Sequence, residues 1–87
     1  MTYMWKVERK KTTYRIQTDE TVISKKLRNS KNAKLISFGL NSMVDIYQFE
    51  FENIDSAKSF LKEITNNDIY KEGDGFRAKA QLSFSLR

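Results

Sequence analysis

The chain of 87 residues contains neither histidine nor cysteine, so carboxylates are its main candidates for acid–base or metal chemistry. Glu50 and Glu52 stand two positions apart, which places both on one side of a strand, where they could hold a divalent cation. The interpretation we favour is a solvated outer side opposite an aromatic inner side. Ser83 and Ser85 have no base to activate them as nucleophiles. We therefore expect no enzymatic activity, no catalytic residue, no metal site and no cofactor.

Basic side chains are the other chemically informative group, and they are distributed unevenly. Residues 1–34 carry ten Lys and Arg against three Asp and Glu, whereas residues 35–87 carry six against eight. A basic block of this kind favours contact with a polyanion such as nucleic acid. The alternative is a lysine-rich solvated surface without a polyanionic partner.

The end of the chain alternates strictly. From Phe76 to Arg87, apolar residues occupy every even position and polar or basic residues every odd position, with no acid among them. A period of two predicts a long strand with one face suited to a core and one wet, positive face.

These side chains must be positioned by a small number of elements. The hydrophobic periodicity predicts the order ββα, ββα, ββ. The expected strands are Tyr3–Arg9, Thr12–Thr18, Lys34–Leu40, Met43–Phe51, Ile69–Glu72 and Phe76–Arg87. The expected helices are Asp19–Arg28 and a second one from Asn53 or Asp55 to about Asn66. Asp74-Gly75 is a strong turn signal for the last hairpin.

The first hairpin is expected to bury aromatic residues. In the first strand the alternation assigns one set of side chains to the core: Tyr3, Trp5 and Val7. It assigns the other set to the outside: Met4, Lys6 and Glu8. In the second strand Tyr14 and Ile16 are expected to be buried, so the apolar parity switches from odd to even, which predicts a turn near Lys10–Lys11.

The remaining elements have their own signals. Thr18 or Asp19 is expected to cap the first helix, whose buried stripe is Val22, Ile23 and Leu27. In the third strand Ile36, Phe38 and Leu40 share one face. In the fourth strand a change of apolar parity predicts a bulge near Ile46–Tyr47. The stripe of the second helix is the clearest in the chain: Ile54, Ala57, Phe60, Leu61 and Ile64.

The predicted fold class is α+β. Residues 1–87 form a single two-layer domain, with two helices packed on one face of a mostly antiparallel, curved sheet. The other face of the sheet stays open. No apolar run approaches the roughly 18 residues of a membrane-spanning helix, and residues 1–11 lack the apolar core of a secretory signal. We therefore expect a cytoplasmic protein with no membrane partner.

The open face and the first hairpin form the predicted binding surface for nucleic acid. Its residues combine cations for phosphate contacts with amides that can read base edges. The residues predicted to bind are Lys6, Lys10, Lys11, Arg15, Gln17, Arg77, Lys79, Gln81 and Arg87. Because Met4 is the only sizeable apolar side chain in the outward set, we expect a duplex, with DNA ahead of RNA, rather than bases stacked from a single strand.

A topological resemblance points the same way. The repeated ββα order from Trp5 to about Ile64 resembles the saddle of LAGLIDADG-type DNA-binding proteins. It implies a sheet offered to duplex DNA and no nuclease activity, because the acidic helix of that family is missing.

The alternative function is a phage- or plasmid-type interaction module that inhibits a nucleic-acid enzyme. The amphipathic terminal strand would then pair with a protein partner or with a second copy of the chain as a homodimer.

Overall fold

The predicted element order is confirmed in the computed structural model, which describes residues 1–39 and 44–78. The strands are β1 (Thr2–Lys6), β2 (Thr13–Thr18), β3 (Lys34–Phe38), β4 (Asp45–Glu50), β5 (Ile69–Glu72) and β6 (Gly75–Ala78). The helices are α1 (Thr21–Arg28) and α2 (Ile54–Thr65). The predictions for Leu40, Met43, Lys79, Gln81 and Arg87 lie outside the described residues.

The strands form one antiparallel six-stranded sheet in the order β3-β4-β2-β1-β6-β5. Both helices pack on the same face of this sheet, as predicted, and we call this the covered face. The buried core lies between the two layers and consists of Met4, Tyr14, Ile16, Ile23, Leu27, Tyr47, Phe49, Ala57, Leu61 and Ile64. The opposite side of the sheet, the open face, carries no helix among the described residues.

Helix α2 follows its local sequence signals closely. The Asn53 side chain accepts a hydrogen bond of 2.9 Å from the backbone N–H of Ser56, which satisfies one of the free donors of the first turn. Asn66 ends the helix in the left-handed conformation at φ 55°. Ala57, Leu61 and Ile64 are buried along the predicted stripe, and Phe60 packs against the core. Ile54 was wrongly included, because it lies in the first turn and is 38% exposed.

Helix α1 differs from its prediction at the N-terminus. It begins at Thr21, and neither Thr18 nor Asp19 caps it. The Thr18 hydroxyl accepts from the Glu20 N–H and pairs with the Thr2 hydroxyl, while Asp19 pairs with the Met1 amino group. Both side chains are therefore engaged in joining β1 to β2.

The predicted buried stripe of α1 is also partly wrong. Ile23 and Leu27 are buried, but Val22 is 65% exposed and does not belong to the stripe.

The predicted orientation of β1 is wrong. Met4 is fully buried on the covered face, whereas Tyr3 and Trp5 lie on the open face. Met4 pairs with Ile16, and directly paired residues in an antiparallel sheet project to the same side. In this register the even-numbered residues of β1 lie opposite the even-numbered residues of β2. The even-numbered side chains of both strands therefore project to the covered face. The turn near Lys10–Lys11 is nevertheless present, in the connection between the two strands.

The predicted bulge is present but lies on the neighbouring strand. Leu35 pairs with Tyr47 and Ser37 with Ile46, so the additional residue is Ile36 of β3. Strand β4 therefore alternates regularly, with Tyr47 and Phe49 buried in the core.

Strand β3 forms one edge of the sheet, and all five of its residues are exposed. Ile36, Phe38 and Leu40 were predicted to share one apolar face. The two of them that the structure describes do not face the core, because Ile36 is 37% and Phe38 is 58% exposed. The apolar side chains of β3 remain accessible to solvent.

The last hairpin has a two-residue loop, Gly73-Asp74, between the paired residues Glu72 and Gly75. Gly73 adopts φ 60° at the first loop position, where a glycine avoids the steric cost of that conformation. Phe76 packs against the core and Ala78 is buried. The prediction that the even-numbered residues of the terminal segment face the core is thus confirmed for these two residues.

Candidate nucleic-acid interface

One row of cross-strand neighbours on the open face is centred on Trp5. Trp5 pairs with Arg15 of β2 and with Gly75 of β6, and Arg15 pairs in turn with Gln48 of β4. The row continues to Lys34, which is exposed on the edge strand. An aromatic ring thus lies beside a guanidinium group and a side-chain amide on a surface that the helices do not cover.

A second row is centred on Tyr3. Tyr3 pairs with Gln17 of β2 and with Arg77 of β6, and Arg77 pairs with Tyr70 of β5. Tyr70 is 45% exposed, and Arg77 and Gln17 are half-buried. Arg77 therefore stands between two tyrosines on the open face.

The two central aromatic rings form a pair. The ring centroids of Tyr3 and Trp5 are 6.0 Å apart, with an angle of 26° between the ring planes. At this separation the rings are offset, so each keeps face area that the other does not cover. Both side chains are partly exposed.

Tyr3 is held in place by β6. Its hydroxyl donates a hydrogen bond of 3.0 Å to the backbone carbonyl of Glu72. A Cβ atom at Gly75 would lie 2.5 Å from the Cζ atom of Tyr3 and would also collide with the Met4 carbonyl oxygen. The absence of a side chain at Gly75 therefore lets the ring lie against the strand.

The two arginines of the open face differ in their partners. The Nε atom of Arg15 donates to the neutral amide oxygen of Gln48 at 2.9 Å, which fixes the guanidinium without neutralising its charge. Arg77 forms an ion pair with Glu72, and its buried Nε has no hydrogen-bond acceptor within residues 1–39 and 44–78. Arg15 is therefore the stronger positive charge on this face.

The predicted basic residues are only partly brought together. Arg15, Gln17 and Arg77 lie on the open face as expected. Lys6 does not, because it pairs with Tyr14, whose side chain projects to the covered face. Lys6 is nevertheless exposed, since it lies at the end of β1. Lys10 and Lys11 are exposed in the turn that follows β1, beyond the Trp5–Arg15 pair.

Glu50, the first of the two carboxylates considered for a metal, is already hydrogen-bonded. It accepts bonds from the hydroxyls of Thr13 at 2.7 Å and Thr12 at 2.8 Å, and these bonds hold its pKa below the ordinary value. Glu52 is exposed beyond the end of β4. The described part of the chain contains no group of three or more carboxylates that could hold a metal ion.

Sequence reasoning missed the aromatic members of the open face. The sequence pattern predicts that Tyr3 and Trp5 lie in the core and gives Tyr70 no site, because large apolar side chains are most often buried. The useful signal was in β2, where Tyr14 and Ile16 are buried. Once the pairing register is known, their burial shows that the even-numbered side chains of β1 project to the covered face.

Neither described helix is long and apolar enough to cross a bilayer. Comparison of the chain with known protein families, curated proteins and solved structures finds no match. The functional interpretation therefore depends on the geometry of the open face.

Proposed function

We propose that this protein binds nucleic acid with the open face of its sheet and performs no catalysis. The observation that carries the proposal is the Trp5–Arg15–Gln48 row, in which an uncompensated guanidinium lies beside an aromatic ring and an amide. Arginine supplies phosphate affinity, and both arginine and glutamine form hydrogen bonds with bases. A cytoplasmic location would give the protein access to such a partner.

The charge around this row supports a polyanionic ligand. Lys34 lies at the outer end of the row, and Lys10 and Lys11 are exposed in the neighbouring turn. Two carboxylates lie at open-face positions of the described strands. Glu72 is ion-paired with Arg77, and Glu50 stays ionised and interacts with Lys10. Lys11, Arg15 and Lys34 therefore remain the cations available for phosphate groups.

The proposal is tested by fluorescence anisotropy with labelled oligonucleotides at several salt concentrations. We expect the logarithm of the binding constant to fall linearly with the logarithm of salt, by about 0.7 to 0.9 for each phosphate contact, because bound counterions are released. Salt-independent binding, or no binding to any oligonucleotide, would contradict the proposal.

A matched pair of variants separates this surface from net charge. Lys11→Glu with Arg15→Glu reverses two charges on and beside the open face. Lys25→Glu with Lys62→Glu reverses two exposed charges on the helices, on the opposite side of the sheet. We expect the first variant to lose most of its binding and the second to bind nearly as the parent chain does. Equal losses would mean that binding follows overall charge.

The edge strand β3 supports the alternative function, an interaction with protein. Leu35, Ile36 and Phe38 are between 37% and 58% exposed on a strand whose outer edge has no partner among the described residues. Exposed apolar side chains on an edge strand are typical of an interface. Because the predicted terminal strand lies largely outside the described residues, we base the proposal of a homodimer contact on β3.

Analytical ultracentrifugation tests this second candidate. A homodimer would dissociate as the protein is diluted, and Ile36→Lys with Phe38→Lys would shift the equilibrium to monomer. A parent chain that is monomeric at high concentration would exclude self-association through β3.

A further inference from the structure

We infer that the open face binds single-stranded nucleic acid by stacking bases on Tyr3 and Trp5, in preference to a duplex. This inference depends on the nucleic-acid binding proposed above and specifies its ligand. The expectation of a duplex rested on an open face without large apolar side chains, and the position of Tyr3 and Trp5 removes that premise.

The aromatic pair is separate from the aromatic core. On the covered face, Tyr14, Phe49, Phe51 and Phe60 contact one another and fill the space beneath the helices. Tyr3 and Trp5 stack on each other across the sheet from that cluster, and Met4 occupies the buried position between them. The core is thus complete without the Tyr3 and Trp5 rings, which leaves them available for a ligand.

The Tyr3 ring is also pre-organised. Its hydroxyl is fixed on the Glu72 carbonyl, and the missing side chain of Gly75 lets it lie against β6. A ring that is already fixed loses little conformational freedom when a base stacks on it. A shallow cavity of about 310 Å³ adjoins it, with Gln17, Glu72 and Arg77 among its lining residues.

Each ring has an arginine as its direct cross-strand neighbour. Trp5 pairs with Arg15 and Tyr3 with Arg77, and such neighbours have Cβ atoms about 5 Å apart. A nucleotide whose base stacks on Trp5 would therefore have its phosphate within reach of the Arg15 guanidinium, whereas Arg77 beside Tyr3 is ion-paired with Glu72. Tyr70, on the other side of Arg77, extends the series of aromatic rings along the same row.

The form of the nucleic acid follows from this arrangement. In a duplex the faces of the bases are covered by their neighbours, so aromatic side chains on a sheet cannot stack on them. In a single strand the bases can be splayed out, and every base offers a face to an aromatic ring. The open face therefore suits a single strand with little sequence preference.

Trp5 is the only tryptophan of the chain, so its fluorescence reports directly on this site. The experiment titrates the full chain with oligodeoxyuridylate, oligouridylate and a DNA duplex of equal length at one salt concentration. We expect both single strands to quench Trp5 fluorescence and to bind at least about tenfold more tightly than the duplex. The difference between the two single strands measures any contribution of the 2′-hydroxyl.

Matched variants test the role of the rings. Trp5→Leu and Tyr3→Leu should each weaken single-strand binding by about ten- to hundredfold, measured by anisotropy. Phe38→Leu removes an aromatic side chain that is 58% exposed on the edge strand and should leave binding unchanged. Trp5→Phe and Tyr3→Phe keep a ring at each position and should retain most of the affinity even if a leucine variant folds poorly.

The outcomes distinguish this inference from the proposed function. Salt-dependent binding to all ligands, with the duplex bound as tightly as single strands and the leucine variants unaffected, would overturn the stacking inference and leave nucleic-acid binding in place. Failure to bind any of the oligonucleotides would overturn both. Quenching by single strands together with loss of binding in the leucine variants would support both.

Discussion

In strand β1 the side chain that lies in the core is not one of the large aromatic residues that the sequence predicts to be buried. Met4 is fully buried under the helices, while the larger Tyr3 and Trp5 lie on the side that no described helix covers. Burial in this strand is therefore decided by its pairing with β2, where Ile16 lies directly opposite Met4. The side of a strand that faces the core follows from its partner rather than from the bulk of its own residues.

This difference predicts that stability and the proposed binding depend on different residues. Residues of the covered face exclude water from the core and contribute to the free energy of unfolding through burial. The open-face side chains of β1, Tyr3 and Trp5, remain partly exposed and have less to contribute. We expect substitutions on the covered face to change stability strongly, and substitutions of the open-face aromatics to change ligand binding more than stability.

The largest effect is expected in the core. Leu61 of α2 is fully buried, and Leu61→Ala should lower the free energy of unfolding by roughly 2–5 kcal/mol because it leaves a cavity. Met4→Ala should fall in the same range. Urea denaturation followed by circular dichroism measures both changes. A loss of less than about 1 kcal/mol for Met4→Ala would indicate that β1 does not bury this side.

The next largest effect is expected at the contact between β6 and the Tyr3 ring. In Gly75→Ala the new Cβ would collide with the Tyr3 ring and with the Met4 carbonyl oxygen, at a cost of about 1–3 kcal/mol. Thermal unfolding measures the loss.

A double variant tests the origin of that cost. Tyr3→Ala combined with Gly75→Ala should recover only part of the stability, because the collision with the Met4 backbone remains. Full recovery would show that the Tyr3 ring alone requires a glycine at this position.

A smaller effect is expected when an aromatic ring of the open face is removed. Trp5→Leu should lower the free energy of unfolding by about 1 kcal/mol, since the side chain is partly exposed and retains apolar contacts as leucine. Circular dichroism provides the measurement, because the variant has no tryptophan fluorescence. A loss as large as that of Met4→Ala would mean that both sides of β1 are equally important for the core.

Local signals explain which parts of the fold were predictable. The second helix was located correctly because Asn53, the apolar stripe through Leu61 and Asn66 lie within one short segment. The order of elements followed for the same reason, since alternation and turn residues are read from neighbouring positions. Arg15, Gln17 and Arg77 were placed correctly on the open face because their strands have a single apolar side.

The errors concern features that depend on how two neighbouring strands pair. Strand β1 has apolar residues on both sides, so only its register with β2 decides which side is buried. The bulge was similar: a change of apolar parity within the fourth strand predicts an irregularity near Ile46–Tyr47, but only the pairing shows that the additional residue is Ile36 in β3. The predicted roles of Lys79, Gln81 and Arg87 stay predictions.

The smallest effect is expected at the rim of the open face, where stability depends on polar contacts. Glu50 accepts hydrogen bonds from Thr13 and Thr12, and its pKa is lowered in the folded state. A lowered carboxyl pKa contributes stability above the unfolded-state pKa of about 4.3, and this contribution is lost as the pH falls through the folded-state value. Glu50→Gln should therefore reduce the loss of stability in acid, measured as the melting temperature between neutral and acidic pH.

The matched control for this prediction is Glu52→Gln, because Glu52 is an exposed carboxylate two residues further along the chain. It removes the same charge without removing the two threonine contacts, so its acid dependence should follow that of the parent chain. If both variants flatten the pH profile equally, overall charge rather than hydrogen bonding controls the acid response. If only Glu50→Gln does, the rim of the open face contributes to stability through the hydrogen bonds between Glu50 and the two threonines.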